Sequence, residues 1–169
     1  MTFAARDTFS AVNQQPPGFV PVTHAYMVAG TYTETTPPGA TSLTLQVGGP
    51  GGGGGTAGGG SGGWCEVVIP LGPVGLSFAV EISAGGAPGL TSTASSVVGA
   101  GFNQVAGPGA AGGLFGGAGG VASGSGVLVS GNQGSPTAGG QPIIGIISSG
   151  AGGGPGAAGG AGAAAFAYR

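Results

Sequence analysis

The stretch Gly48–Gly63, GGPGGGGGTAGGGSGG, constrains this chain more than any other. It carries no charge, and its only side chain larger than Ala, Ser or Thr is Pro50. Glycine has no Cβ and loses the most backbone entropy on ordering. A chain this dense in glycine either stays disordered or uses the missing side chains to bring backbones together. Gly 45 and Pro 13 among 169 residues fall on the disordered side of composition. The hydrophobic fraction of 40% is more than a solvated linker needs, and it favours an ordered chain.

Collagen requires Gly at every third position over a long span. Here Gly113, Gly116 and Gly119 hold that spacing briefly, as do Gly49, Gly52, Gly55 and Gly58. Gly150, Gly153, Gly156, Gly159 and Gly162 hold it longest. A left-handed helix of the polyproline II type also has three residues per turn, without internal hydrogen bonds. Its N–H and C=O groups point outward and need partners when buried. Glycine helices can approach closely enough to bond to one another. The tracts near 48–63, 107–120 and 150–162 are therefore expected to be extended and bonded to neighbouring tracts. On that logic Gly156→Val should cost more than the same change at Thr91, because a Cβ would separate packed backbones.

Between the tracts lie strand signals. Thr31–Thr35 is β-rich, Pro37-Pro38-Gly39 is a turn, and Leu43, Leu45 and Val47 alternate. These read as a hairpin feeding the glycine stretch. Trp64–Ile69 is a further strand, Leu76, Phe78, Val80 and Ile82 alternate with smaller or polar residues, and Phe166 and Tyr168 close the chain as a last strand. No segment has helical periodicity, and glycine costs about 1 kcal/mol per helical position relative to Ala. The expected fold is mainly β and irregular: short antiparallel strands plus packed polyglycine II-type extended helices, with no substantial α-helix.

Residues 1–28 differ from the rest, holding one glycine, Gly18. They are read as an N-terminal attachment arm with Arg6, Asp7 and Phe9 as its contact residues; an N-terminal strand of the main domain is the competing reading. Residues 29–169 are the glycine-rich β and polyglycine domain.

Charge is nearly absent. The chain has no lysine, its cations are Arg6 and Arg169, and its anions are Asp7, Glu34, Glu66 and Glu81. Neutralising phosphates needs Lys and Arg, so no nucleic-acid partner is expected. No membrane insertion is expected, because Gly, Pro and Ser break every apolar run. The start has no apolar core of signal-peptide length, so secretion by that route is not expected. Cys65 is single, which leaves no intrachain disulfide. One His, one Cys and four carboxylates make no convincing triad, and GGPGGGGGT lacks the phosphate-loop lysine. Glu66 and Glu81 could face each other as a glycosidase pair, although a solvated sheet face is the more ordinary arrangement. Neither an enzymatic activity, a cofactor nor a metal is expected.

The order GTYTETTPPGATSLTLQVGGPGGGGG, then WCEVVIPLGPVGLSFAVEISAGG, then glycine tracts split by loops, resembles the glycine-rich domains of bacteriophage tail-fibre and adhesin proteins. Gly30, Thr31, Tyr32, Pro38, Gly39, Leu43 and Val47 carry the resemblance, which covers roughly Gly30–Arg169. It implies a polyglycine sandwich whose intervening loops contact a host surface. The implied protein is a virion component, a tail-fibre tip or adhesin. Its partners would be other virion proteins, through the arm, and a host surface glycan or outer-membrane protein. Contact residues would then be Phe102, Asn103 and Gln104, Leu114 and Phe115, and Asn132 and Gln133, in the non-glycine loops. Phe102 and Phe115 could equally be small-core residues. A capsid fibre, spike or decoration protein anchored by the arm is the alternative, and an antifreeze-like polyglycine protein a weaker one. Fibre proteins are commonly homotrimers, yet a polyglycine sandwich can be complete within one chain.

Overall fold

A computed structural model describes residues 18–169. Arg6, Asp7 and Phe9 of the expected arm lie outside the described residues. The strands are β1 (Val22–Tyr26), β2 (Gly30–Thr35), β3 (Ser42–Gly48), β4 (Trp64–Pro70), β5 (Ser77–Ile82), β6 (Ser95–Gly99), β7 (Phe102–Ala106), β8 (Ala122–Ser123), β9 (Val127–Val129) and β10 (Ala163–Tyr168). They form two five-stranded sheets, in the orders β1-β10-β3-β4-β9 and β2-β5-β6-β7-β8. Every pairing between strands is antiparallel.

Period-two alternation decides which side of each strand is buried. Leu43, Leu45 and Val47 of β3, Cys65, Val67 and Ile69 of β4, and Phe166 and Tyr168 of β10 point inward from one sheet. Phe78, Val80 and Ile82 of β5, with Val97 and Ala106, meet them from the other. The Phe78 and Phe166 rings join the sheets with centroids 5.7 Å apart. This apolar core is confined to the sandwich. The expected hairpin from Thr31 to Val47 does not form: β2 pairs with β5, whereas β3 pairs with β4 and β10. Pro37 and Pro38 have no N–H to offer a ladder, and the turn there carries the chain from one sheet to the other. β1, within the segment assigned to the arm, pairs with β10 from Val22↔Tyr168 to Tyr26↔Ala164 and is therefore part of the sandwich.

At one end of the sandwich the strands run on into glycine tracts, and there backbone replaces side chain as the packing element. The tract 58–63 is entirely buried and is bonded on all sides. The Gly58 and Ser61 amides donate to Ser135 and Asn132, those of Gly59 and Gly62 to Gly153 and Gly150, and those of Gly60 and Gly63 to Ala110 and Gly107. The Gly58 and Ser61 carbonyls accept from Gly117 and Gly120, those of Gly60 and Gly63 from Gly52 and Gly49, and that of Gly59 from Gly140. Partners recur every third residue, as a three-residue helical turn dictates. The tract 49–55 is bonded in the same way to its neighbours, its carbonyls accepting from Gly150, Gly153 and Gly156, from Gly109 and Gly112, and from Gly86 and Gly89. The expected polyglycine II-type packing is thus present, built of helices that hold one another through the main chain.

Sequence follows position in this bundle. Most inward positions are glycine, with Pro50, Ala57 and Ser61 the buried exceptions in 48–63, because a side chain would meet main chain: a Cβ on Gly54 would lie 1.8 Å from the Gly154 carbonyl oxygen. Ala84, Ala87, Ala118, Ala151, Ala158 and Ala161 stand where the tracts face solvent. Gly156 departs from the expectation made for it. It lies in a turn, a Cβ there would meet nothing within 4 Å, and its constraint is a φ of 71°. A side chain at Gly156 is opposed by left-handed backbone strain and not by packed neighbours.

Candidate functional site

Each excursion from the sandwich returns through a tight turn, and the turns gather at one end of the bundle. Two share one design. In Ala87-Pro88-Gly89-Leu90 the Leu90 amide donates to the Ala87 carbonyl at 2.8 Å, and Gly89 has a φ of 74°. In Gly154-Pro155-Gly156-Ala157 the equivalent bond is 2.9 Å, and Gly156 takes the positive φ. Proline presets the second residue of such a turn and glycine supplies the third. At Ser135–Ala138 the Ser135 hydroxyl accepts from the Ala138 amide at 3.0 Å. The remaining turns are Gly55-Thr56-Ala57 and Gly113-Leu114-Phe115-Gly116, tied together by the Thr56 hydroxyl donating to the Gly113 carbonyl at 2.8 Å. Main-chain bonds fix the turns side by side: Gly89 to Gly54, Gly156 to Gly55, and Gly58 to Ser135.

This end presents Leu114 at 78% exposure, Phe115 at 81% and Leu90 at 61%, with Pro88, Pro136 and Pro155 around them. It holds no charged side chain, since none occurs between Ile82 and Tyr168. Large apolar groups on a rigid, uncharged platform make a contact surface rather than a reaction centre.

The seven residues expected to contact a receptor are not brought together. Leu114 and Phe115 stand on the turn end, and Asn132 and Gln133 are exposed on the side of the bundle. Asn132 has its side-chain amide donating to the Gln141 carbonyl at 2.9 Å. Phe102, Asn103 and Gln104 are not in a loop but in β7, within the sandwich. Phe102 packs against the core. Gln104 is 1% exposed, and in the amide orientation that satisfies both its groups it bonds the Ser125 main chain at 3.2 and 3.0 Å. It cannot touch a partner from there. The signal was in the sequence: Phe102, Gln104 and Ala106 alternate with Asn103 and Val105 and mark the inward face of a strand. Leu90 was missed, although Pro88-Gly89 announces its turn.

A polar cluster lies between the sheets. Glu34 of β2, 3% exposed, accepts from Tyr26 at 2.6 Å, from Tyr168 at 2.8 Å, and meets His24 Nδ1 at 2.9 Å. Burial, the bond to Glu34 and its negative charge push the Tyr26 hydroxyl up to about 12 and raise that of Tyr168 further. Burial also raises the Cys65 thiol to about 11, so it stays protonated and packs as a small apolar group. Glu66 and Glu81 belong to different sheets and do not face each other; Glu66 instead accepts from the Gln46 side chain.

The far end of the sandwich bears Phe19 and Arg169. Phe19 lies over Gly39, and the Arg169 main chain is bonded to Ser42. A groove of about 430 Å³ runs there between residues 36–41 and 71–75. No protein-family model matches this chain, and no curated protein matches it.

Proposed function

We propose that this chain is a bacteriophage virion protein, a tail-fibre tip or adhesin that meets the host surface with its turn end. The observation that carries the reading is polarity. The Phe19–Gly39 contact, the Arg169–Ser42 bonds and the groove beside them lie at one end of the described residues, and Leu90, Leu114 and Phe115 are displayed at the other, on turns that a bonded glycine bundle holds in place. Such a layout suits a protein attached by one pole and making contact with the other. Changes at Leu90, Leu114 and Phe115 leave the bundle bonds untouched, because those side chains make none of them. The contact surface can therefore vary while the scaffold stays fixed.

The partner fits the surface chemically. An end without charge and with two leucines and a phenylalanine exposed matches an uncharged or apolar patch, such as the loops of an outer-membrane protein, better than phosphorylated sugars. Binding of the purified chain to cells of the host strain tests this. Phe115→Ser with Leu114→Ser should abolish binding while the melting temperature stays put. Undiminished binding by that variant would remove the turn end as the contact surface. Electron microscopy of the particle separates the tail reading from a capsid fibre or decoration protein, by where the chain sits.

A further inference from the structure

β1 is attached unlike every other long strand of the molecule. None of its residues is fully buried, and only Val22 and Tyr26 are half-buried. It is an edge strand, held by its ladder to β10, by Val22 and Tyr26 packed on the rim of the core, and by His24 and Tyr26, which reach Glu34 in the opposite sheet. The slot it fills is complete without it: the β10 main chain, the Phe166 and Tyr168 rings, and a carboxylate that Tyr168 continues to satisfy. If β1 leaves, Glu34 meets water and is not stranded in an apolar core. Departure therefore uncovers the β10 edge, Glu34 and the rims of the Phe166 and Tyr168 rings, a surface that an identical strand would cover again.

The link between β1 and the rest is only Met27, Val28 and Ala29, with Met27 66% and Val28 71% exposed. It bends sharply to carry the chain from one sheet to the other. One group holds the bend: the Tyr32 hydroxyl donates to the Val28 carbonyl at 2.9 Å, while the Tyr32 ring lies 4.7 Å from that of Tyr26. A short hinge, an edge strand paired on one side only and a partner edge that specifies its side chains are the ingredients of strand exchange.

We infer that the β10 edge is a strand-acceptor site whose partner is β1 of a second copy of this chain, exchanged when the Met27–Ala29 hinge opens. The occupant is specified by chemistry. A strand placing an imidazole and a phenol two residues apart on its inner face meets both oxygens of Glu34 while pairing with β10. The chain's own β1 is that strand, so a second copy supplies it with every contact unchanged. His24 and Tyr26 of one copy would then complete the Glu34 cluster of the other. This is independent of what the turn end touches.

Thr23 pairs with Ala167 across the β1–β10 ladder, which makes the pair a reporter for which chain supplies β1. The Thr23→Cys, Ala167→Cys chain is oxidised after equilibration at low and at high concentration, then run under non-reducing, denaturing conditions. Cys65 is fully buried and stays out of the exchange. Dilute chain should link within itself and run as a monomer. Concentrated chain should shift to disulfide-linked dimer, and adding Tyr32→Phe should move that shift to lower concentration. Intrachain links alone at every concentration, with and without Tyr32→Phe, would overturn the inference. The unaltered chain gives a second reading should the double variant not fold. Sedimentation should show a dimer that grows with concentration while the β1 amides remain protected from exchange. No dimer, or a dimer with unprotected β1 amides, also overturns it.

Discussion

Gly60→Ala tests whether backbone contact holds this molecule together. Gly60 sits in the buried tract 58–63, and its added methyl would lie 1.9 Å from the Ala118 carbonyl oxygen and 2.4 Å from its carbon. Ordinary contact begins near 3.4 Å, so the methyl is 1.5 Å too close (3.4 less 1.9). Main chain lies on both sides, and no flexible side chain can swing away. Moving the 116–121 tract that far would break the bonds from Gly117 to Gly58 and from Gly120 to Ser61, both 2.8 Å. A buried donor left without a partner costs about 1–3 kcal/mol, so losing two costs about 2–6 kcal/mol. Replacing Gly by Ala recovers about 0.4–1 kcal/mol from the unfolded chain. A net loss of about 3 kcal/mol corresponds to a fall of about 6–12 °C in melting temperature for a domain of this size. Gly72→Ala is the control, because a Cβ there meets nothing within 4 Å and φ is not positive. Thermal unfolding of both variants decides the matter. Equal melting temperatures would refute the idea that close main-chain approach holds the bundle.

Gly156→Ala should lose about 1–2 kcal/mol through left-handed strain alone, and unfolding should place it between Gly72→Ala and Gly60→Ala. The raised folded-state value of Tyr26 means that the folded chain keeps a proton the unfolded chain has lost. Stability should then be fully present below pH 10 and fall as pH rises from 10.0 towards about 12, in denaturant titrations across that range. Glu34→Gln should shrink that fall, since the charge opposing tyrosinate is gone. Sodium chloride should hardly change the midpoint, because His24–Glu34, charged on both sides only when the imidazole is protonated, is the only such contact among the described residues and screening acts on charges. Proteinase K at room temperature should leave residues 48–162 intact, read by mass spectrometry of the surviving fragment; rapid loss of that region would contradict a bonded bundle.

The sequence by itself determined the kinds of structure present. Alternation in LTLQV and FAVEI, and of Phe166 with Tyr168 in AAAFAY, marks strands and the face each turns to the core, because side chains on a strand point to opposite sides; that Ile147 also covers Ala163 and Ala165 on the other face of β10 was left to the tertiary structure. The density and threefold spacing of glycine mark extended helices that must find partners outside themselves. The tertiary structure alone decided which strands pair and which tracts touch. Thr31–Thr35 and Leu43–Val47 are neighbours in sequence yet belong to different sheets, since Pro37 and Pro38 turn the chain across the sandwich. Glycine has no side chain to advertise its surroundings, so nothing marks Gly60 as locked at the centre, and Gly156 is marked as a turn residue only by the proline before it. The contact surface was legible in part for the same reason. Leu114 and Phe115 stand out among glycines wherever the chain goes, but that they share one end with Leu90 follows from bonds between tracts far apart in the chain. Those bonds join main-chain groups that every residue carries, so their partners are chosen by geometry and leave almost no trace in the order of the amino acids.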